Sequence, residues 1–515
     1  MKKALRRGVK ITLIASLSLL LLAGCGSNSS GTSSSSKPAD SPKTASTPAS
    51  QQRLTVSIMA DSFSTQPPTK DDPVLKALED YLNTNLNITW VPNNTINDKF
   101  NITLASGNLP DIMYVPDKLP SFISAVKAGA FWDLGPYLKD YPNLSQANPI
   151  VLSNSSINGK IYGIYRARTL GRMGISIRKD WLANVGLSEP KTIDDFHNLL
   201  KAFKNNDPNK DSKNDTYGMV VTKYNGPWDI MQTWFGVPNK WGLDQNGKLA
   251  PDFTFPQYME ALNFFRTIYK EGLVNQDFAV MEPSKWNDPI INNQAGIIVD
   301  VADTAQRLED KLEKANPGKT DLMTVIGAVS GPSGLHNLPT SGYSGMFAIP
   351  KSSVKTEAQL KQVLTVLDKL NDKKAQVLAD NGIEGRHYTL KDGYAVQTKD
   401  QNLVNEYQDL NQLMMFLPED RTILPVQTPI RKQVAEVQSA NVKIVVGNPA
   451  AGFVSQTYAQ KGVQLDNIIN DARTKFIVGQ IDANGMKQAI DLWHKSGGDD
   501  YIKEINQLYE ASKNK

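Results

Sequence analysis

The hydrophobic pattern of the chain begins with a basic start followed by a continuous apolar run. Five basic residues lie in the first ten positions, and the run ITLIASLSLLLLAGC follows to residue 25. This order is typical of a secretory signal peptide, which we assign to residues 1–25. The run ends in LAGC, the lipobox pattern, which predicts a lipid anchor on Cys25. The alternative is a plain thiol at the end of a membrane helix.

A polar stretch, residues 26–52, follows the apolar run. It consists mostly of Ser, Thr, Pro and Gly, so it cannot bury enough apolar surface to offset its ordering entropy. We therefore expect a disordered tether; an O-glycosylated stalk would have the same position. Because the chain has one cysteine, it cannot form an internal disulfide.

Strand and helix patterns alternate from residue 53 onward. The β-rich runs LTVSIMA, NITWVPN and DIMYVP are separated by two segments with apolar residues at helical spacing. This order predicts a parallel sheet with right-handed crossovers. Ligands of such sheets bind beyond the carboxyl ends of the strands. Asp61, Tyr114 and Asp117 lie at those ends and are candidate ligand residues.

Further strand and helix patterns follow, and the C-terminal third is mostly helical. KTIDDFHNLLKAFKNND predicts an amphipathic helix with Thr192 as its N-cap and Asp195 at the capping-box position. AGIIVDV, DLMTVIGAV and GYSGMFAIP predict strands. The fold class is therefore α/β, and the length of the chain favours two lobes over a single core.

Charge and motifs exclude several functions. The net charge is +4 and no basic block stands out after residue 53, so we expect no nucleic-acid partner. No second apolar run of membrane length occurs, and no G-x-S-x-G, H-E-x-x-H or phosphate-binding loop is present. We therefore expect no enzyme. The alternative of a secreted glycoside hydrolase requires two carboxylates across a cleft, which abundant acidic residues alone do not establish.

Several stretches together resemble one known family. The lipobox, the Ser-rich tether, LPDIMY, SIRKDWL and NGIEGRHY are similar to bacterial extracellular solute-binding proteins of ABC importers (family 1). The resemblance covers residues 53–515 and is strongest to the subgroup that includes alginate-oligosaccharide-binding proteins. It implies a two-lobe periplasmic-binding-protein-like fold with a hinge and an interlobe ligand cleft.

The resemblance also implies how the chain is divided between the lobes. Lobe 1 takes residues 53–177 plus 327–370, and lobe 2 takes residues 178–326 plus 371–515. The chain would then cross between the lobes near Ile177, near Val325 and after Leu370.

The function implied is capture of a carbohydrate, and specifically an oligosaccharide. The receptor would be a monomer, held by the lipid on Cys25 at the extracellular face of a Gram-positive type of cell membrane. It would close around its ligand and dock on ABC permease subunits. A peptide-binding or sensory receptor of the same fold is the alternative.

Sugars present C–H faces that stack on aromatic rings and hydroxyls that bond to charged and amide side chains. Aromatic and charged residues in loops are therefore candidates, although Trp234 beside Phe235 also suits a hydrophobic core. The arginines could pair with a uronate or bond neutral hydroxyls. The candidates, besides Asp61, Tyr114 and Asp117, are Tyr165, Arg166, Arg168, Trp228, Trp234, Trp286, Tyr343, Glu384, Arg386 and Tyr388.

The loop DPNKDSKNDTYG, residues 207–218, places oxygen ligands at alternate positions, as an EF-hand loop does. It departs from that loop at position 6, which is Ser212, and at position 12, which is Gly218. The resemblance implies a shorter loop that holds structural calcium, and the alternative is an Asx-rich turn without metal. The implied ligands are Asp207, Asn209, Asp211, Lys213 through its carbonyl, Asp215 and Thr216 in place of a carboxylate.

Overall fold

The computed structural model describes residues 53–415 and 422–513. The predicted signal peptide, residues 1–25 with Cys25, and the tether, residues 26–52, lie outside the described residues. Within the described ranges, no helix has both the length and the apolar character needed to cross a membrane.

The described residues form fifteen strands and seventeen α-helices. The strands are β1 Leu54–Ser62, β2 Thr84–Pro92, β3 Ile112–Val115, β4 Ile164–Ala167, β5 Met173–Arg178, β6 Tyr217–Met219, β7 Trp241–Leu243, β8 Leu249–Pro251, β9 Ala295–Val301, β10 Met323–Ile326, β11 Ser330–Gly331, β12 Gly334–Leu335, β13 Tyr343–Ala348, β14 Tyr388–Lys391 and β15 Tyr394–Gln397. The helices are α1 Pro73–Leu82, α2 Ile96–Ser106, α3 Pro120–Lys127, α4 Pro149–Ser155, α5 Lys179–Val185, α6 Ile193–Asn205, α7 Gly226–Trp234, α8 Pro256–Lys270, α9 Asp288–Ile291, α10 Asp303–Ala315, α11 Glu357–Lys369, α12 Lys373–Asn381, α13 Gln401–Asn405, α14 Pro429–Asn441, α15 Gln456–Ile477, α16 Ala483–Trp493 and α17 Asp499–Lys513.

The first sheet has five strands in the order β2-β1-β3-β13-β4. Strand β1 runs parallel to β2 and to β3, with Leu54 opposite Thr84 and Ile58 opposite Ile112. The parallel opening predicted from the sequence is therefore confirmed. Strand β13 enters antiparallel between β3 and β4. Strand β1 is buried from Ile58 to its end, as expected of a parallel strand covered on both faces.

The second sheet has four strands in the order β10-β5-β9-β6. Strand β5 is antiparallel to β9 and β10, whereas β9 is parallel to β6. Helix α6 begins with the predicted capping box, in which the Thr192 hydroxyl accepts from the Asp195 amide and the Asp195 carboxylate accepts from the Thr192 amide. The predicted α/β class is confirmed.

Two hydrophobic cores divide the fold into two lobes. The core of the first lobe draws on residues between Val56 and Leu170 and between Tyr343 and Met415. The core of the second lobe draws on residues between Ile175 and Val329 and between Leu465 and Trp493. A smaller cluster joins α10 and α14 to the second sheet.

The packing corrects the expected lobe boundaries in two places. Strand β5 belongs to the second sheet, so the first crossing lies before Met173 and not near Ile177. Ala375, Ala379 and Tyr407 pack in the core of the first lobe, although residues 371–415 were expected in lobe 2. The third crossing therefore lies before α14 and not after Leu370, because α12 packs on α1 and on Leu410–Leu413 of the first lobe.

Candidate functional site

The carboxyl edge of the first sheet carries a buried ion pair. Asp61, at the end of β1, is 1% exposed and accepts from Arg166 at 2.8 Å. Arg166 also donates to Gln412, and its guanidinium lies 5.3 Å from the centroid of the Tyr114 ring. Burial raises the pKa of Asp61, and Arg166 offsets this only in part. Burial likewise raises the pKa of Tyr114 to about 12.

The loop after β3 links this edge to other parts of the chain. The Tyr343 hydroxyl donates to the Asp117 carboxylate at 3.0 Å. The ammonium of Lys118 donates to the carbonyl of Asn154 at 2.7 Å and to the carbonyl of Ala451. Burial lowers the pKa of Lys118 to about 8. Lys118 therefore ties the start of α3 to the segment between α14 and α15.

Two arginines lie where the chain first passes between the lobes. Arg172 donates to Asp303, at the start of α10, at 2.7 Å. Arg168 is exposed and forms no ion pair within the described ranges. The protein around the guanidinium still removes part of its solvent, and this desolvation and the neighbouring Arg172 lower the pKa of Arg168.

A cavity of about 640 Å³ lies between the two lobes. The first lobe contributes residues around the start of α3, among them Lys118 and Ile123. The second lobe contributes a charged cluster and an aromatic wall. The cluster consists of Asp229, Lys240, Asp252 and Arg473, and the wall consists of Trp241, Tyr458, Trp493 and Tyr501.

The charged cluster is internally paired. Asp229 accepts from Arg473 at 2.6 Å and from Lys240 at 3.3 Å. Burial alone would raise the pKa of Asp229, but the two cations outweigh it and lower the pKa. Asp252 is buried and accepts from Gln232 at 3.1 Å, and burial raises its pKa to about 6. The cluster thus keeps charges of both signs at the base of the cavity.

The aromatic wall is held together by ring contacts. Tyr458 stacks on Tyr501 with a centroid distance of 4.7 Å and an interplanar angle of 26°. Trp241 meets Tyr501 edge-on at 5.0 Å. Trp493 lies 6.4 Å from Tyr501 and is packed in turn against Phe253. Such a wall can stack on the C–H face of a sugar ring.

A second cavity, of about 840 Å³, lies between the first lobe and α14. Arg166 and Gln412 line it from the first lobe, and Glu436 and Lys443 line it from the other side. Its described lining residues include no aromatic side chain. The 640 Å³ cavity therefore suits a sugar better, although it is the smaller of the two.

Four of the aromatic residues predicted to contact the ligand do not lie at the cleft. Trp228 and Trp234 are buried in the core of the second lobe against phenylalanines. The Trp286 indole donates to the Val220 carbonyl at 3.0 Å and packs below the second sheet. The Tyr165 hydroxyl accepts from the Asn148 amide at 2.8 Å within the first core. The prediction of ligand contact is corrected for these four, because their ring faces are already covered by protein.

The residues of the GIEGRHY stretch lie at neither cavity. Glu384 is exposed, and Tyr388 is buried at the start of β14. Arg386 forms a bidentate ion pair with Glu406. Of the predicted ligand residues, Arg166 is the one found among the described lining residues of either cavity. Sequence reasoning missed Lys118, Asp229, Arg473 and Tyr458, since they come from helices or their flanks, where no loop signal marks them.

The loop at residues 207–218 adopts a tight polar turn. The Asp207 carboxylate accepts from the amides of Asp211 and Ser212, each at 3.1 Å. Ser212 has a φ of +62°, the left-handed conformation that favours Gly at position 6 of an EF-hand. The Thr216 hydroxyl is buried and donates to the Phe203 carbonyl at 2.8 Å. Among the described residues, no three His, Cys, Asp or Glu side chains come together as a metal site.

Two α/β lobes that share an interlobe cavity define a two-lobe ligand-binding protein. The chain belongs to the bacterial extracellular solute-binding protein family, whose sequence profile matches residues 63–377. The predicted family is thereby confirmed, and it is a family of binding proteins, which fits the expectation that the chain is no enzyme.

Two relatives match nearly the whole chain. The lipoprotein LipO of Bacillus subtilis (strain 168) is 50% identical over 473 residues, covering 90% of this chain and 94% of LipO. The polygalacturonan/rhamnogalacturonan-binding protein YtcQ of the same strain is 34% identical over 466 residues, covering 90% of this chain and 92% of YtcQ.

Solved structures share the fold at low sequence identity. An EF-hand mutant of the Streptococcus pneumoniae ABC-transporter substrate-binding protein FusA, in complex with fructo-nystose, has a TM-score of 0.60 and 20% identity, covering 90% of this chain and all of that chain. The alginate-binding protein AlgQ2 without calcium ion has a TM-score of 0.57 and 19% identity, covering 90% and 99%. The predicted two-lobe fold is confirmed.

Proposed function

We propose that this protein captures an oligosaccharide in the 640 Å³ cavity and delivers it to the permease of an ABC importer. The observation that carries the proposal is the pairing of an aromatic wall with a charged cluster in one interlobe cavity. Its volume lies within the range of about 300–1,000 Å³ that is usual for small-molecule sites. A relative that covers the same length of chain, YtcQ, is named for binding polygalacturonan and rhamnogalacturonan.

The cavity has the chemistry that a sugar needs. Tyr458 offers a ring face, while Lys240, Asp229 and Asn470 offer donors and acceptors for hydroxyls. Because Ile123 comes from the first lobe and Asp229 from the second, a ligand that contacts both stabilises the closed arrangement. Closure then follows from the difference in ligand affinity between open and closed states.

A thermal-shift screen that compares glycans with peptides tests which class of ligand the protein binds. A ligand that binds only the folded state raises stability by RT ln(1 + [L]/Kd). We expect oligosaccharides to raise the melting temperature. A rise with peptides alone would favour the peptide or sensory receptor and refute the carbohydrate cargo.

We also propose that Cys25 carries a lipid that holds the protein at the outer face of the cell membrane. The lipobox sequence and the naming of the 50% identical relative as a lipoprotein support this proposal. Metabolic labelling with a palmitate analogue should mark the wild-type protein and not Cys25→Ser. Equal labelling of both forms would contradict it.

A structural calcium ion is a further proposal, for the loop at residues 207–218. Asp207, Asn209, Asp211, the Lys213 carbonyl and Asp215 would hold it, and bound calcium would cross-link the loop. The turn and the φ of Ser212 fit the ion, whereas Thr216 is engaged with Phe203 and supplies no charge. Two proteins of similar fold support the proposal, since one solved form of FusA is an EF-hand mutant and one solved form of AlgQ2 is without calcium ion.

Calorimetric titration of calcium into chelator-stripped protein tests this site. We expect heat of binding and a higher melting temperature, both lost in Asp207→Ala, while Asp98→Ala on α2 serves as the exposed control. Absence of heat and of any shift in the wild-type protein would refute calcium binding and leave an Asx-rich turn.

A further inference from the structure

The side chain of Tyr458 has an arrangement that the fold alone does not require. It lies in the first turn of α15, it lines the 640 Å³ cavity and 39% of it is exposed. One face stacks on Tyr501, and the hydroxyl donates to Asp466 at 2.7 Å. The ring is therefore fixed at both its face and its tip, while part of it stays open to the cavity.

A glycine in the middle of a helix makes room for this ring. Gly462 lies one turn after Tyr458 in α15 and is buried. A Cβ atom at Gly462 would lie 3.0 Å from Cε2 and 3.1 Å from Cδ2 of Tyr458, which is tighter than an ordinary contact. Glycine is less favourable than alanine inside a helix, so its presence here needs a reason. The reason is the space that the Tyr458 ring occupies beside Gly462, where a Cβ atom would be too close to the ring.

We propose that Tyr458 is the stacking platform for a sugar ring in this cavity, with the C–H face of a pyranose or furanose lying on its exposed part. The inference rests on the proposed function and assigns the contact to one residue. A ring that is held before the ligand arrives loses little conformational freedom on binding, which favours affinity. Tyr458, Gly462 and Asp466 all lie beyond residue 377, where the match to the family profile ends.

Isothermal titration of two trisaccharides, acidic trigalacturonate and neutral 1-kestose, into the full folded chain tests the proposal. We expect at least one to bind, and we expect Tyr458→Ala to weaken that affinity by about tenfold or more. Tyr458→Phe keeps the ring and should stay close to wild type. Tyr394→Ala is the matched control, because Tyr394 is also 39% exposed but lies on β15, away from the cavity.

Gly462→Ala separates a platform from a packing residue. The added methyl group forces the Tyr458 ring to move by a few tenths of an ångström, whereas alanine favours the helix, so we expect weaker binding from a protein that still folds. This variant decides the matter if Tyr458→Ala does not fold. Equal Kd values for wild type, Tyr458→Ala and Gly462→Ala would overturn the platform and leave the carbohydrate cargo standing. Binding of neither trisaccharide by the wild-type protein would overturn both.

Discussion

Asp252 is the acidic residue whose replacement should stabilise the protein at neutral pH. It is buried, and the groups that face it are Lys240, Asp229 and Arg473, with Gln232 donating to its carboxylate. Asparagine has nearly the same shape and carries no charge to desolvate. Asp252→Asn therefore removes the cost of burying the charge while keeping the side-chain volume.

The size and sign of the effect follow from the pKa. Burial raises the pKa of Asp252 from 3.8 to about 6. Since one pKa unit corresponds to about 1.36 kcal/mol, ionisation in the folded state costs ~3 kcal/mol. A raised carboxyl pKa contributes stability below pH 3.8 that is lost as the pH rises through about 6. The asparagine variant has no such loss, so its advantage should appear between pH 4 and pH 6 and reach a plateau above (about 3 kcal/mol at most).

Urea unfolding at pH 4, 5, 6 and 7.5, followed by tryptophan fluorescence, measures this difference. We expect Asp252→Asn to match wild type near pH 4 and to have the higher midpoint at pH 7.5, with an unchanged m value. Asp98→Asn, at an exposed position on α2, should follow wild type throughout. A variant less stable than wild type at pH 7.5 would show that the charge of Asp252 supports the cluster, which refutes the reasoning.

Three further substitutions test individual polar contacts of the fold. Arg166→Met leaves Asp61 buried without its charged partner and should lower the free energy of unfolding by about 3–5 kcal/mol. The double variant Arg166→Met with Asp61→Asn should recover part of this loss. Equal stability of the single and double variants would show that the ion pair does not contribute to stability. Trp286→Phe removes the donor to the Val220 carbonyl and should lower the free energy of unfolding by about 1–3 kcal/mol without changing glycan affinity. A changed affinity at unchanged stability would instead show that Trp286 contacts the ligand. Lys118→Met leaves three carbonyls without this donor and should lower the urea midpoint, reflecting about 1–3 kcal/mol, and an unchanged midpoint would show that water replaces the ammonium.

The pattern of hydrophobic and polar residues within short segments of the sequence predicted much of the fold. The parallel pairing of β1, β2 and β3 follows from their β-rich runs and the helices between them, and the capping box of α6 follows from Thr192 and Asp195. The same pattern placed Asp61 at a carboxyl end, where the structure shows it beside Arg166. These features depend on residues close in sequence.

The cavity could not be predicted in the same way. Trp286 lies in a Pro-flanked stretch that resembles a binding loop, but its indole is satisfied by Val220, a contact that no local pattern reveals. Tyr458 lies in an ordinary helical turn, and its role depends on Tyr501, which is distant in sequence. The third crossing was misplaced because the apolar face of α12 does not show to which lobe the helix belongs.

The aromatic wall has a consequence for how such receptors diversify. Tyr458, Trp493 and Tyr501 belong to the last three helices, whereas both sheets and the first two crossings come from the chain before residue 350. These three rings therefore lie in a C-terminal segment that adds no strand to either sheet, whereas Trp241 and Asp229 of the same cavity come from the earlier part of the chain. Exchanging residues 442–513 between two relatives should therefore alter glycan preference through these rings while both sheets stay unchanged.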